Sequence, residues 1–386
     1  MAMVDYPIGA MPPCKRPWTS GALQASCPAM LTRLRVRDFR CFESVGLDLH
    51  PRLNAFTGRN AQGKTSLLEA ICVLMRLQSP RTSSKGDWIR FGATSCALEG
   101  QAAEVALRYT QTATARRLAV EGGACSKTDE YLRHAALIVW MDHADMNLTR
   151  GSAEHRRKFL DFAAAQIFPE YRESLKAYER VLRSRNYLLK KDDRISWRQV
   201  EAYNEVLARH AATLRAARQA LIQFLLPHVE RLHHELSGGS ERAGLRYMPG
   251  YQEEDLAVEL TARRADEERT RVTVAGPHRD DLELHLNDRP AGVFGSEGQQ
   301  RSLSVALKVA QALVLHEQMG QPPLILLDDV FGELDKSRRR AVLRALPAQS
   351  QIFVTTTSLD WAEQESWDGA HWEVEEGRVR ALRGEP

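Results

Sequence analysis

This sequence lacks a large net charge and a long apolar run, and it has few cysteines. The 386 residues carry 53 Lys and Arg against 50 Asp and Glu, a formal net charge of only +3, so a nucleic-acid-binding surface would have to be local. No apolar run reaches the roughly 18 residues needed to span a bilayer. We therefore expect a soluble, cytoplasmic protein without a membrane partner.

Cysteine is also scarce. None of the six cysteines forms a C-x-x-C pair, and none is followed by a recognisable ligand set; they are Cys14, Cys27, Cys41, Cys72, Cys96 and Cys125. This pattern argues against a zinc site and favours free thiols in a reducing compartment.

The first 29 residues lack hydrophobic periodicity. They contain five prolines but not the apolar segment of a signal peptide. We therefore expect residues 1–29 to be a disordered extension and interpret Met30 as a candidate start of the folded chain.

One phosphate-binding motif, G-x-x-x-x-G-K-[ST], is present. Its residues are Gly58, Arg59, Asn60, Ala61, Gln62, Gly63, Lys64 and Thr65. In such a loop the backbone amides surround nucleotide phosphates, the Lys reaches the β- and γ-phosphates and the hydroxyl binds Mg²⁺. An apolar run precedes the loop, and apolar residues at helical spacing follow it, so we expect a strand, a loop and a helix whose N-terminus faces the phosphates. The simpler alternative is a glycine turn between a strand and a helix.

A second apolar run, Leu324 to Leu327, ends in two carboxylates. Beside a P-loop, Asp328 would hold Mg²⁺ together with Thr65, and Asp329 would orient or deprotonate the attacking water. Lys64 and Asp329 are thus the candidate catalytic residues. Without the P-loop, the same pattern would be an ordinary strand end.

Another helix is predicted to begin after Ser296. The hydroxyl of Ser296 and the amides near Gly298 and Gln299 form a second candidate phosphate site, although an N-cap alone is the simpler interpretation. Near residue 36, arginines alternate with apolar residues in a predicted strand. Arg37 or Arg40 could approach the nucleotide there, or could simply face solvent.

The central part of the chain differs in character. Residues 153–191 and 197–236 read as long helices that form an antiparallel hairpin arm, and we expect Pro227 to kink or split the second. Between Gly151 and Arg218 there are 15 Lys and Arg against 9 Asp and Glu. This surplus suits contact with a phosphate backbone; the alternative is a solvated face with i to i+4 ion pairs. The candidate DNA contacts are Arg156, Arg157, Arg183, Arg185, Lys190 and Lys191.

These patterns predict an ATPase head in two parts, residues 30–150 and 265–386, with the helical arm inserted at 151–264. We also expect a loop over 237–250, a strand over 271–274, and a strand over 352–357 that closes the sheet.

The order of motifs, completed by Gly332-Glu333-Leu334-Asp335, resembles the ABC-type ATPases, in which a signature serine completes the γ-phosphate site of a partner subunit. The short arm between Lys64 and Ser296 is similar to that of the RecF family. Local stretches at 34–40, 156–161, 276–282, 298–301 and 327–335 carry the same resemblance.

This resemblance implies an α/β fold: an ABC-type P-loop ATPase head with a flanking antiparallel sheet and an inserted helical arm. It also implies an ATP-dependent homodimer that binds duplex DNA and single-strand gaps, with RecR and RecO as partners and RecA loading as the result. ATP hydrolysis would be weak, DNA-stimulated and used as a release switch.

Three positions depart from the related patterns. Threonines, Thr355 to Thr357, stand where transporter ATPases have a switch histidine. Asp329 replaces the usual glutamate, which is consistent with slow hydrolysis. The segment 141–146 lacks the usual Pro-Glu pair of a nucleotide-sensing loop, and only Asp145 is carried over.

Two other functions remain open. A P-loop kinase or small-molecule NTPase would require an acceptor pocket and would leave Ser296 to Gln299 and the arm unexplained. A scaffold that binds ATP without useful hydrolysis would fit the missing histidine, but the intact Lys64, Asp328 and Asp329 argue against it.

Overall fold

The computed structural model describes residues 30–333, 336–357 and 368–383. The expected extension at 1–29 and the last two residues of the motif at 332–335 lie outside this range. The strands are β1 (Leu31–Phe39), β2 (Phe42–Asp48), β3 (Leu53–Thr57), β4 (Ser95–Ala102), β5 (Val105–Thr112), β6 (Arg116–Val120), β7 (Gly123–Cys125), β8 (Ile138–Asp142), β9 (Ala243–Met248), β10 (Asp281–Leu286), β11 (Arg289–Pro290), β12 (Leu324–Asp328), β13 (Ile352–Thr356), β14 (Gly369–Glu375) and β15 (Arg378–Arg383). The helices are α1 (Lys64–Arg76), α2 (Thr128–His134), α3 (Asn147–Arg150), α4 (Ala153–Ile167), α5 (Tyr171–Lys191), α6 (Trp197–Glu201), α7 (Asn204–Leu236), α8 (Leu256–Ala262), α9 (Arg264–Thr270), α10 (Ala291–Phe294), α11 (Glu297–Met319) and α12 (Lys336–Ala345).

A mixed sheet forms the centre of the molecule, with strand order β15-β14-β3-β13-β12-β8. The strands from β14 to β8 are parallel, and only β15 runs antiparallel to its neighbour. Alternate residues face two different cores: Ile138 and Leu326 point to one, and Val139 and Leu327 to the other. Strands buried on both faces have nearly continuous apolar sequences. For this reason β8, β12 and β13 were recognisable from sequence.

The position of β13 differs from the prediction. It lies between β3 and β12 rather than closing the sheet, and β14 and β15 form the far edge. The strand before the P-loop motif, β3, and the strand with the paired carboxylates, β12, are therefore separated by one strand. All three carboxyl ends meet at the same edge of the sheet.

The second sheet is antiparallel, with order β2-β1-β4-β5-β6-β7, as predicted for the flanking sheet. Strands β4 and β5 form a hairpin that turns at Ala103 with a positive φ of 53°. Helix α1 is buried between the two sheets, and its apolar residues join their inner faces in one core. This packing fixes the start of α1 relative to the P-loop.

The opposite face of the mixed sheet is covered by α11, α4 and α7. The first predicted arm helix, 153–191, is in fact two helices, α4 and α5, separated at Pro169, which cannot donate a backbone hydrogen bond. Helices α5 and α7 form the antiparallel hairpin, with α6 in the link between them. Helix α7 is continuous through Pro227, so the predicted split does not occur, although the proline removes one backbone hydrogen bond. The second half of α7 packs against α11 and β9, so the arm merges with the head partway along this helix.

Two local predictions were wrong. The expected loop at 237–250 contains β9, which pairs with β10 in a three-stranded sheet. The expected strand at 271–274 is irregular, because side chains instead of a neighbouring strand make hydrogen bonds with its backbone. Asn186 Oδ1 accepts from Thr273 N at 2.8 Å, and Thr273 O lies 3.0 Å from His278 Nε2.

A buried arginine joins the arm to the head. The guanidinium of Arg218, on α7, donates to Asp280 Oδ2 and to Asp161 Oδ1, both at 2.6 Å, and to Tyr171 Oη at 2.9 Å. Asp280 is fully buried and also accepts from Gly250 N at 2.7 Å. The charges of these carboxylates hold the pKa of Arg218 well above its usual range, against the opposing effect of burial.

A second buried pair stabilises the middle of the arm. Arg185, whose side chain is 1% exposed, binds both oxygens of Glu267 at 2.7 Å and reaches Asn204 and Thr273. Arg156 similarly binds Asp281 through two hydrogen bonds of 2.6 and 2.8 Å. Much of the arm's positive charge is therefore used internally.

None of the helices among the described residues is both long enough and apolar enough to cross a membrane.

The Arg218 cluster leads to a stability prediction. Replacing Arg218 with Met removes the counter-charge of two carboxylates, one of them fully buried, and we expect a loss of about 3–5 kcal/mol in the free energy of unfolding. Urea unfolding followed by circular dichroism measures it. Arg209→Met, on the exposed face of the same helix, is the control and should change stability by less than about 0.5 kcal/mol. Equal urea midpoints for both variants would contradict the structural role of Arg218.

Candidate ATP-binding site

The P-loop adopts a conformation that depends on its glycines. Gly58 and Gly63 have φ values of 148° and 112°, which L side chains rarely adopt. A Cβ at Gly58 would lie 2.2 Å from Val374 O, and one at Gly63 would lie 2.7 Å from Cys41 Sγ. The loop therefore passes close to β14 on one side and to the β1–β2 turn on the other.

The lysine of the motif is held across the loop. Lys64 is nearly buried, and its Nζ donates to Gly58 O at 2.8 Å and to Arg59 O at 3.1 Å. These bonds place a positive charge inside the loop. Helix α1 begins at Lys64 with no side-chain N-cap and no acidic residue in its first turn. Its first amides and its dipole are thus available to an anion.

The carboxylate of Asp328 meets the P-loop at the edge of the mixed sheet. Its Oδ1 accepts from Thr65 Oγ1 at 2.9 Å and from Thr355 Oγ1 at 2.7 Å. Thr355 Oγ1 also accepts from the backbone N of Asp329 at 2.9 Å. Asp329 has a positive φ of 54°, so the chain turns sharply straight after Asp328.

Burial raises the pKa of Asp328, the hydrogen bonds from Thr355 and Thr65 lower it, and the charges of Asp329 and Asp142 raise it. A buried carboxylate with acidic neighbours gains from a cation. Oxygen ligands from a carboxylate and a hydroxyl are what Mg²⁺ prefers. Thr65 and Asp328 thus fit the expected metal-binding pair.

Asp145, the residue carried over from the nucleotide-sensing loop, is bound to helix α11. Its carboxylate pairs with Lys308 Nζ, on α11, at 2.9 Å, and Lys308 also donates to Trp140 O at 2.7 Å. Burial is the main cause that raises the pKa of Asp145 to about 6. The acidic residue in register with Asp328 is Asp142, at the end of β8. Asp145 therefore fixes the start of the segment after β8 to the signature helix.

Ser296 caps helix α11. Its Oγ accepts from Gln299 N at 3.3 Å, and its backbone N donates to Gln299 Oε1 at 2.6 Å, which is a capping box. Gln299 Nε2 donates to Glu241 Oε1 at 2.7 Å, and the other oxygen of Glu241 lies 2.7 Å from His233 Nε2. Among the described residues, no hydrogen bond joins Ser296 or Gln299 to the P-loop.

Comparison with known proteins identifies the family. The family model for the RecF/RecN/SMC N-terminal domain matches residues 30–368. A protein of Lactobacillus johnsonii described as DNA replication and repair protein RecF is 33% identical over 365 residues, 89% of this chain and 94% of its own length. A similarly described protein of Geobacillus thermodenitrificans is 32% identical over 373 residues, 91% of this chain and 99% of its own.

A solved structure of the recombination mediator protein RecF with ATPrS, in the RecFOR pathway, superposes with a TM-score of 0.84 at 26% identity. It covers 93% of this chain and 99% of the other.

The chain belongs to the RecF family.

The expected fold class, an ABC-type P-loop ATPase head with a flanking antiparallel sheet and an inserted helical arm, is thereby confirmed. The candidate ATP-site residues that were identified from the sequence fall into two groups in the structure. Lys64, Thr65, Asp328 and Asp329 lie together, whereas Ser296, Gly298 and Gln299 form a separate helix start.

Thr355 is the residue whose role sequence reasoning missed. The sequence showed only that a threonine stands there in place of a histidine. In the structure, its hydroxyl donates to the Asp328 carboxylate and accepts from the backbone N of Asp329. The signal was its register: Thr355 pairs with Asp328 across the parallel strands β12 and β13. A histidine does occur near the P-loop, since His371 Nε2 lies 2.7 Å from Thr57 Oγ1, but it is on β14.

Some of the candidate DNA contacts must be corrected. Arg185 is buried and ion-paired, so it cannot reach DNA in this conformation. Arg156 is bound to Asp281, and Arg157 donates to Asp280 O at 2.8 Å. The physical reason is that these arginines attach the arm to the head. The remaining candidates, Arg183, Lys190 and Lys191, are exposed.

Of the two arginines considered for the nucleotide, Arg40 binds both oxygens of buried Glu69, at 2.9 and 2.6 Å, and is committed to α1. Arg37 is largely exposed and lies 3.9 Å from Asp38.

Thr355 leads to a prediction at the site. Thr355→Val keeps the shape but leaves Asp329 N without its acceptor, at an expected cost of about 1–3 kcal/mol in stability. It also removes a bond that lowers the pKa of Asp328, so that pKa should rise further. The ionised carboxylate is the form that holds Mg²⁺. As the pH is lowered, the variant should therefore lose its Mg²⁺-dependent ATP affinity at a higher pH than the wild type does. Calorimetric titration with Mg·ATP over a pH series measures this shift.

Thr357→Val, at an exposed position two residues on, is the matched control and should leave the pH profile unchanged. If Thr355→Val and the control have the same profile, Thr355 does not tune Asp328.

Proposed function

We propose that this protein is an ATP-dependent DNA-binding protein of recombinational repair and replication restart. It binds duplex DNA and single-strand gaps as an ATP-induced homodimer, acts with RecO and RecR to promote RecA loading, and uses slow ATP hydrolysis to release DNA. Membership of the RecF family supports the general role in DNA replication and repair. The solved structure of RecF with ATPrS, in the RecFOR pathway, supports ATP binding and a place in that pathway.

The separation of the two halves of the site carries the proposal. At one edge of the sheet, Thr65 is hydrogen-bonded to Asp328 and Lys64 is held across the P-loop, and these three residues would account for the phosphates and Mg²⁺. Ser296 stands at the start of α11, and within the part of the chain that the structure describes its hydroxyl and the first-turn amides make no hydrogen bond to that edge. A second copy of the chain would bring its own Ser296 to the γ-phosphate. The closed dimer would then have two composite sites.

The same residues support slow hydrolysis. Asp329 follows the metal-binding position directly, and Thr355 fixes its backbone, so its carboxylate would act on water at the nucleotide. Aspartate is one methylene shorter than glutamate and brings its oxygens less far toward that water. Bound ATP would therefore persist long enough to hold the dimer closed.

The arm supplies part of the proposed DNA surface. Arg183 is 72% exposed, and Lys190 and Lys191 are exposed at the end of α5, near the tip of the hairpin. Exposed Lys and Arg side chains contact phosphates without reading sequence. Binding that depends on backbone contacts suits a protein that acts at gaps of any sequence.

The switch is tested by DNA binding with three forms of the protein. Fluorescence anisotropy of labelled gapped duplex should show tight binding of the wild type with Mg·ATP and weaker binding without nucleotide. Lys64→Ala should lose the ATP effect, at least tenfold in affinity or about 1.4 kcal/mol. Asp329→Asn should bind ATP but remain on DNA, because the release step is slowed.

Light scattering on the same samples gives the mass of each form. The wild type and Asp329→Asn should be dimeric with ATP, and Lys64→Ala should remain monomeric. Equal DNA affinity of all three forms with and without ATP would contradict the switch. A scaffold that never hydrolyses ATP would instead show no difference between the wild type and Asp329→Asn.

A further inference from the structure

Five basic side chains come together where the base of the arm meets the head. They belong to the end of α1, the loop before β4, the start of β6 and the first two turns of α5. We call them the basic cluster: Arg76, Lys85, Arg116, Arg172 and Lys176.

The inner part of the cluster is a pair of guanidinium groups. Arg76 is 4% exposed and makes no ion pair with a described residue. Arg172 Nη2 donates to the backbone oxygen of Arg76 at 3.3 Å, so the Arg172 guanidinium lies against the end of α1. The Nε atoms of both arginines are buried without a hydrogen-bond partner among the described residues. Burial, followed by the charge of Arg172, lowers the pKa of Arg76 to about 9.

The outer part faces solvent. Lys85, Arg116 and Lys176 are exposed. Burial lowers the pKa of Lys176, and the charges of Arg172 and Arg116 lower it further. Arg116 likewise lowers the pKa of Lys85, after burial.

The carboxylate of Asp129 opposes this repulsion at Arg172 and Lys176, but it is one negative charge facing several positive ones. Arg172 also lies in the first turn of α5, where the helix dipole disfavours a cation.

Such an arrangement costs stability in the free protein. Buried guanidinium groups are normally paired with carboxylates, as Arg185 and Arg218 are here. In the basic cluster, buried Arg76 has no such pair among the described residues, half-buried Arg172 is opposed by the charge of Asp129, and exposed cations lie around them. An anion would satisfy both the unpartnered Nε–H groups and the repelling charges. Arginine forks bind phosphate oxygens particularly well.

We propose that the basic cluster binds backbone phosphates of DNA and forms a second contact surface at the base of the arm. This inference rests on the proposed DNA-binding function and deepens it by naming residues. The three remaining sequence candidates lie in the second half of α5, toward the tip, whereas Arg172 and Lys176 lie at its other end. DNA that contacts both surfaces runs along the arm, from its tip to the head.

The test neutralises the two exposed residues that are simplest to change. The double variant Arg116→Gln/Lys176→Gln removes two charges without emptying a buried site. The control, Arg209→Gln/Arg380→Gln, removes two exposed charges on α7 and β15, each paired with a nearby glutamate. Anisotropy of labelled duplex DNA with Mg·ATP is measured between 50 and 200 mM salt. We expect at least about tenfold weaker binding at low salt and a salt slope smaller by roughly 2, because each phosphate contact contributes about 0.9.

Two further measurements on the same proteins separate the possible outcomes. Thermal unfolding should show the double variant to be as stable as the wild type or more stable, because repulsion is relieved. ATP-induced dimerisation should be unchanged. If the wild type and the control bind DNA and the double variant binds with the same affinity and slope, the inference is wrong. If the wild type itself does not bind DNA, the proposed function fails instead.

Discussion

The carboxylate of Asp328 accepts two hydrogen bonds, from Thr65 and from Thr355, and the nucleotide half-site depends on them. Through side chains, they join the start of α1, which follows β3 and the P-loop, to the carboxyl ends of the parallel strands β13 and β12. The sheet is buried on both faces, so these ends cannot shift independently. The P-loop, the metal-binding pair and Asp329 are therefore positioned by the core of the head, and the signature serine stands on a different element.

The second constraint is the pairing of buried arginines. Arg218 and Arg185 are enclosed with carboxylates from the segments around Asp280 and Glu267, which attach the arm to the head. The basic surplus of the arm thus has two parts: some of it is internal and structural, and the rest is exposed. In the basic cluster, buried Arg76 makes no ion pair with a described residue, and the single charge of Asp129 faces Arg172 and its basic neighbours; this difference from Arg218 makes the cluster a candidate for an anion.

The sequence was sufficient to predict those elements that depend only on residues close together in the chain. The P-loop, the strand ending at Asp328 and the helix start after Ser296 depend on adjacent residues, and each was located correctly. Contacts between distant residues could not be predicted in the same way. Arg185 was expected on the surface because nothing near it in sequence reveals Glu267, 82 residues away. The order of β13 in the sheet and the role of Thr355 likewise depend on tertiary pairing. The segment at 271–274 was taken for a strand because side-chain acceptors for its backbone are invisible in sequence.

The claim that each chain holds half of a site is tested most directly by mixing two inactive variants. Lys64→Ala inactivates the P-loop half of the ATP site, and Ser296→Arg inactivates the signature half. Neither variant should therefore hydrolyse ATP alone. A mixed dimer has one site built from the two intact halves, and random pairing should restore about a quarter of the wild-type rate of DNA-stimulated ATP hydrolysis. No activity in the mixture, or full activity of Ser296→Arg alone, would contradict a site shared between two copies.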